Sequence, residues 1–138
     1  MTRPPFAIDA IDHVLLLVQG MDESVAFYEG VLGAVLESRL ANYAMAELRV
    51  GRSHIDLVDT TSPQGRWARP DGAGGRNVDH IALRLGPCNE SALREHLASR
   101  QVTIIEERSE EGLEGRSLCL YIRDPSGNQI ELIQPLSI

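Results

Sequence analysis

At 138 residues and 15.2 kDa the chain has the length of one domain, long enough for folding to bury on the order of 65–70% of the surface of the extended chain, and a multidomain machine is excluded. Apolar residues make up 43% and charged residues 24%, which is the composition of a globular protein and not of a disordered or fibrous one. Thirteen Lys and Arg against twenty Asp and Glu give a net charge of -7, the wrong sign for a nucleic-acid backbone or an anionic membrane surface.

Two cysteines, Cys88 and Cys119, are too few for a disulfide framework or a Cys-based zinc site and read as reduced thiols. Residues 1–12 hold no apolar stretch of the secretion-signal kind, and the longest aliphatic run, Val14 to Val18, is much shorter than a membrane span. A cytoplasmic protein without nucleic-acid or membrane partners is expected.

In chain order, the first element is a strand within Asp12 to Val18, whose branched apolar residues are those of a strand buried on both faces. A helix follows, with Asp22 as its N-cap, Val25, Tyr28 and Leu32 on one face, and Gly33 as its stop. Strands are predicted at about Val35 to Leu40 and Asn42 to Val50, closed by His54 to Val58. Residues 60–77 contain six Gly or Pro and no periodicity, so they read as a linker. Trp67, Arg66, Arg69 and Arg76 within it are candidates for a lid or anion clamp, against the alternative of a plain connector.

A further strand is predicted at Asp79 to Leu85, then a helix capped by Asn89 with Leu93 and Leu97 one turn apart, ending near Arg100. Strands at about Val102 to Glu107 and Ser117 to Arg123 precede a turn at Asp124 to Asn128 and a closing strand at Gln129 to Ile133. Glu106 to Arg116, with five Glu and two Gly, reads as a longer solvated loop.

The chain repeats itself. Asp12-His13-Val14-Leu15 recurs 67 residues later as Asp79-His80-Ile81-Ala82, and His54-Ile55-Asp56-Leu57-Val58 recurs 75 residues later as Gln129-Ile130-Glu131-Leu132-Ile133. Each half reads β-α-β-β-β. The expected fold is therefore α+β: two tandem modules, about 8–59 and about 78–135, in one domain, forming a cupped mixed sheet with the helices outside.

The duplication pairs polar residues inside apolar strands: His13 with His80, and Asp56 with Glu131. Strand alternation puts each on the face opposite the aliphatic residues. A buried carboxylate is costly unless paired or bound to metal. Two imidazoles and one or two carboxylates suit Ni, Co, Zn, Mn or Fe as divalent ions, with positions left open for substrate. His54 shares the face of Asp56, either as a substitute ligand or as an exposed residue at the strand start, while His96 on the second helix reads as a surface residue.

These residues resemble the vicinal oxygen chelate superfamily, which includes glyoxalase I, extradiol dioxygenases and bleomycin resistance proteins. The resemblance runs from about Ile11 to Pro135 and is carried by His13-Val14, Phe27-Tyr28, Leu32-Gly33 and Asp124-Pro125-Ser126-Gly127 ahead of Glu131. It implies metal ligands at His13, Asp56, His80 and Glu131, a small-molecule substrate and a homodimer, with the site lying within one chain or across two. The function expected is a metal-dependent, lactoylglutathione lyase-like enzyme that chelates neighbouring oxygens of its substrate and transfers a proton through an enediolate-like intermediate, with Glu131 as ligand and proton shuttle. An Fe(II) extradiol dioxygenase is the second reading, in which Tyr121 occupies the place of that branch's Tyr ten residues before Glu131. A non-catalytic ligand-binding protein is the third.

Overall fold

The computed structural model describes residue 7 and residues 10–68, 78–112 and 115–136. The repeat in sequence becomes a repeat in topology. Strand β1 (His13–Val18), helix α1 (Met21–Gly30) and strands β2 (Val35–Leu40), β3 (Met45–Val50) and β4 (Ser53–Asp59) form one unit, with sheet order β1-β4-β3-β2. Strand β5 (Ile81–Arg84), helix α2 (Glu90–Ser99) and strands β6 (Glu106–Gly112), β7 (Gly115–Arg123) and β8 (Gln129–Pro135) form the other, in the order β5-β8-β7-β6. The first strand of each unit runs parallel to the last, and the remaining pairs are antiparallel. The fold class is thus α+β, with two four-stranded mixed sheets.

Alternation assigns each sheet two unlike faces. Leu16 and Val18 of β1, Ala46 and Leu48 of β3, and Ile55 and Leu57 of β4 join Leu118, Leu120, Ile122, Ile130 and Leu132 of the second sheet in one buried cluster with Val25 and Tyr28 of α1 and Leu97 of α2. The opposite faces carry the polar residues. A hydrogen bond ties the units together inside this core: the Tyr28 hydroxyl, fully buried, donates to Asp124 Oδ2 at 2.8 Å. His96, expected at the surface, is half-buried and its Nε2 lies 2.8 Å from the Val31 carbonyl, joining α2 to the end of α1.

Several local expectations change. Strands β1 and β5 are sheet edges, so Leu15, Leu17, Ile81 and Leu83 are only half-buried and neither strand is enclosed on both faces. Helix α1 begins at Met21, which places Asp22 in its first turn; no side chain of the preceding residue caps it, and Asp59 at the end of β4 instead accepts from the Met21 amide at 3.2 Å. Asn89 caps α2 as expected, accepting from the Ala92 amide at 3.1 Å. The acidic segment predicted as a loop contains β6, an edge strand in which Arg108 pairs with Glu106 at 2.9 Å and reaches Glu110 at 3.9 Å. Alternating charge lets an exposed edge pair on one side while discouraging further strand addition on the other.

After β4, residues Pro63–Ala68 form a short 3-10 turn against the first sheet, with buried Gly65 packed on the Asp59 carbonyl. Trp67 is 55% exposed and its Nε1 donates to the Tyr43 carbonyl at 3.2 Å. Arg66, beside it in the same turn, is exposed, and Arg69 and Arg76, the remaining lid candidates, lie outside the described residues. Among the described residues no helix is long and apolar enough to cross a membrane.

Candidate functional site

The polar face of the first sheet is built by register. His13 lies beside His54, and Leu15, one step along the same face, lies beside Asp56, so His13, His54 and Asp56 share that face. His13 Nε2 stands 3.6 Å from Asp56 Oδ2, and its Nδ1 is 2.7 Å from Asp12 Oδ1. Asp56 is only 5% exposed. Burial raises the pKa of its carboxyl, partly opposed by His13, while the hydrogen bond to Asp12 and then the charge of Asp56 raise that of His13. His54 pairs with Glu37 at 3.0 Å. Asp12, His13, Glu37, Glu47, His54 and Asp56 line a cavity of about 280 Å³. Four carboxylates and two imidazoles converging there make a strongly cation-attracting surface.

The second sheet repeats the arrangement. Glu131, 6% exposed, lies opposite Tyr121 on β7 and beside Ala82 on β5. His80, two residues before Ala82, brings Nε2 to 3.0 Å from Glu131 Oε1, while Nδ1 is 2.7 Å from Asp79 Oδ2. The Tyr121 ring meets the His80 ring edge-on, with centroids 5.7 Å apart, and the Arg108 guanidinium sits 5.6 Å from the Tyr121 centroid. Burial, reinforced by the Glu131 carboxylate, pushes the Tyr121 hydroxyl up to about 12 and the Cys119 thiol up to about 11. Both therefore stay protonated near pH 7 and can donate hydrogen bonds towards Glu131.

Each histidine is thus held on one ring nitrogen by the preceding Asp and turns the other towards a buried carboxylate. A carboxylate on the far nitrogen fixes the ring's orientation and tautomer and raises its basicity, which is the support that metal-ligating histidines commonly have. The donor set fits a divalent metal on chemical grounds: imidazole nitrogen and carboxylate oxygen suit Ni, Co, Zn, Mn and Fe.

The structure brings His13 to Asp56 and His80 to Glu131, but it does not gather all four within one chain. The first pair lines the cavity on the first sheet, and Glu131 lines another, with Arg84, Glu110, Ser117 and Cys119, on the second. Among the described residues, the group of three or more candidate ligand atoms lying within 4.8 Å of one another is Glu110, Cys119 and Glu131. Cys119, Glu110, Glu37 and Glu47 escaped the sequence reading. Cys119 and Glu47 carried a usable signal, since strand parity places both on the polar faces.

A family model described as the Glyoxalase/Bleomycin resistance protein/Dioxygenase superfamily matches residues 10–132. Virulence protein STM3117 of Salmonella typhimurium is 30% identical over 129 residues, 92% of this chain and 85% of that protein. Its crystal structure superposes with a TM-score of 0.71 at 26% identity, covering 95% of this chain and 100% of that one. Integron cassette protein VCH_CASS1, from the mobile metagenome of V. cholerae, gives 0.70 at 27% identity over 95% of this chain and 98% of its own. Lactoylglutathione lyase from Agrobacterium tumefaciens gives 0.65 at 22% identity, covering 96% of each chain, a likeness of fold alone.

Proposed function

The chain belongs to the Glyoxalase/Bleomycin resistance protein/Dioxygenase superfamily, and from that premise we propose that it is a metal-dependent, glyoxalase-like enzyme that moves a proton between neighbouring carbons of a small oxygen-rich substrate, by way of an enediolate-like intermediate. The observation that carries this reading is the repeated Asp–His–carboxylate arrangement, Asp12–His13–Asp56 and Asp79–His80–Glu131, in equivalent places on the two sheets.

His13, Asp56, His80 and Glu131 would hold the ion, and a divalent ion there supplies Lewis-acid polarisation of two adjacent substrate oxygens. Glu131 is the proton shuttle: it is the buried carboxylate with a hydroxyl and a thiol beside it, and it takes a proton from one carbon and returns it to the next. Proton transfer of this kind is worth roughly 10²- to 10⁴-fold in rate. Tyr121, kept neutral by its surroundings, donates a hydrogen bond that steadies Glu131 between the two transfers.

The reading also calls for two copies of the chain, because His13 and Asp56 border one cavity within a chain and Glu131 borders another. Ile11 and Val78, each two residues before a ligand histidine, are 79% and 57% exposed. Large apolar side chains beside both half-sites, next to the open edges of β1 and β5, suit burial against a second copy that sets one subunit's first sheet opposite the other's second sheet.

The test is turnover of a glutathione hemithioacetal by metal-loaded protein. Glu131→Gln is expected to retain bound metal and lose at least about 100-fold in kcat, whereas unchanged turnover in that variant removes Glu131 from the chemistry. Metal content identifies the competing readings. Placement of Tyr121 beside His80 and Glu131 favours an extradiol dioxygenase as second reading, and iron with oxygen uptake on catechols would put it first. Protein that takes up no metal and still binds ligand after His80→Ala would be a binding protein.

A further inference from the structure

On the otherwise polar face of the first sheet, one row of side chains is apolar from edge to edge. Leu17 lies beside Val58, Val58 opposite Met45, and Met45 opposite Leu40. Their strand neighbours Leu16, Leu57 and Ala46 fill the common interior, so this row points the other way. Leu17 and Met45 are half-buried and Leu40 is 37% exposed, while Val58 is fully buried without belonging to the interior cluster. The row adjoins the candidate ion site. The next residues along the same face are Glu47 and Asp56, which line the cavity of about 280 Å³, one pleat repeat or roughly 7 Å away. Duplication does not dictate this chemistry. By the same pairings the equivalent row of the second sheet is Arg84, Ile133, Cys119 and Arg108, with two guanidiniums and a thiol where the first sheet has hydrocarbon and one thioether. The modules keep the Asp–His–carboxylate arrangement in common and differ in the row next to it.

We propose that this row seats an apolar substituent of the substrate, so that the substrate is an aryl- or alkyl-substituted compound whose two neighbouring oxygens lie at the ion site. The inference rests on the preceding reading for where those oxygens sit. Charge decides the character of the occupant: Asp12, Glu37, Glu47 and Asp56 border the cavity beside the row, and four carboxylates oppose an anionic group there. A second copy is the wrong cover. Set with its second sheet opposite, it presents Arg84 and the alternating Glu106, Arg108 and Glu110 of its polar face, none of which gives hydrocarbon an apolar partner. A neutral hydrocarbon group on a molecule already anchored by its oxygens satisfies both constraints, and its removal from water favours binding. Four strands about 4.8 Å apart make the row roughly 14 Å long, room for a phenyl ring or a short alkyl chain. Leu17 and Met45, on either side of the covered Val58, are the specificity-determining residues, and the flexible thioether of Met45 adapts to groups of different shape.

The experiment measures, by calorimetry, the affinity of Zn²⁺-loaded, full-length protein for benzohydroxamate and for acetohydroxamate. The two chelators present the same pair of neighbouring oxygens and differ in phenyl against methyl. Wild type is expected to bind benzohydroxamate at least about tenfold more tightly, since a single methylene in an apolar site is worth about 10- to 200-fold. The Leu17→Ser, Met45→Ser double variant is expected to bring the two affinities within about twofold of each other. Both are read on one preparation, so a partly unfolded variant lowers the number of sites and leaves the ratio intact. Equal affinities in wild type, a phenyl preference that survives the double variant, or failure of both probes to bind overturns the inference. Equal affinities alongside hemithioacetal turnover leave the glyoxalase-like reading standing. A phenyl preference lost in the double variant, in protein that turns over no hemithioacetal, removes that reading and leaves the apolar seat.

Discussion

Docking of the two modules depends on a hydroxyl that a single substitution removes. Tyr28 is fully buried on α1 and donates to Asp124, which is 4% exposed. Asp124 also accepts from the Ser126 amide at 2.9 Å, the Asn128 amide at 2.8 Å and Asn128 Nδ2 at 2.8 Å. Tyr28→Phe keeps the ring and removes one of four donors to a charged acceptor. A hydrogen bond to a charged group is worth about 1.5–3 kcal/mol, and the three surviving donors keep the loss near the lower half, about 2 kcal/mol. An unfolding entropy of about 2.1 cal/mol/K per residue gives about 0.3 kcal/mol/K for this chain, so Tm should fall by about 7 °C. Burial, then the Asp124 charge and hydrogen bond, raise the Tyr28 pKa well above its ordinary value of 10.0. A raised folded pKa means the hydroxyl stabilises fully below pH 10 and loses that effect as the pH climbs above it. The gap between wild type and Tyr28→Phe should therefore narrow above pH 10. Thermal and urea unfolding, each followed by two probes, provide the measurement. A change under about 0.5 kcal/mol at pH 7 would refute the reasoning, since the hydroxyl would then be exchanging Asp124 for water at no net gain.

If each site is shared between subunits, inactive His13→Ala and Glu131→Gln homodimers, refolded together, should recover about a quarter of wild-type turnover, because half the dimers are mixed and each has one intact site; no recovery would place the site within one chain. Burial acts to raise the Asp59 pKa, but hydrogen bonds from Thr61 and from the Gly20 and Met21 amides outweigh it and leave the folded value below 3.8. Its stabilisation is present above pH 3.8 and lost as the pH falls through the lowered value, so Asp59→Ala should cost about 1 kcal/mol at pH 7 by loss of the helix cap, with a gap that closes in acid unfolding below pH 3.8. A Cβ added at Gly65 would stand 1.9 Å from the Asp59 carbonyl oxygen, and Gly65→Ala should lose at least about 2 kcal/mol in urea unfolding.

What was legible in the sequence is what repetition and parity encode. The pairing of His13 with Asp56 and of His80 with Glu131 follows from placing like residues on like strands, since parallel pairing of first and last strands brings their polar faces level. Helix and strand ends were legible where a local group sets them, as at Asn89, and illegible where a distant one does, as at Asp59 capping α1 from the far end of β4. The β6 strand was hidden because its partner, not its own composition, makes it a strand: a segment with four Glu and one Arg has little apolar surface to bury, and gains its ladder from β7, whose core-facing residues are already held. The same distinction governs the site. Strand parity tells which side chains share a face, and so reaches Asp56, Glu131, Tyr121 and Cys119, but it carries no information on how two faces separated by a shared core are brought together. The apolar faces of both sheets are spent on one common interior with α1 and α2, which leaves the polar faces turned from each other's ligands. Under the proposed reading, a chain that carries half a site on each of two such faces would complete it with a second copy, and Ile11 and Val78, exposed at equivalent places beside the two histidines, are where that copy would first be felt.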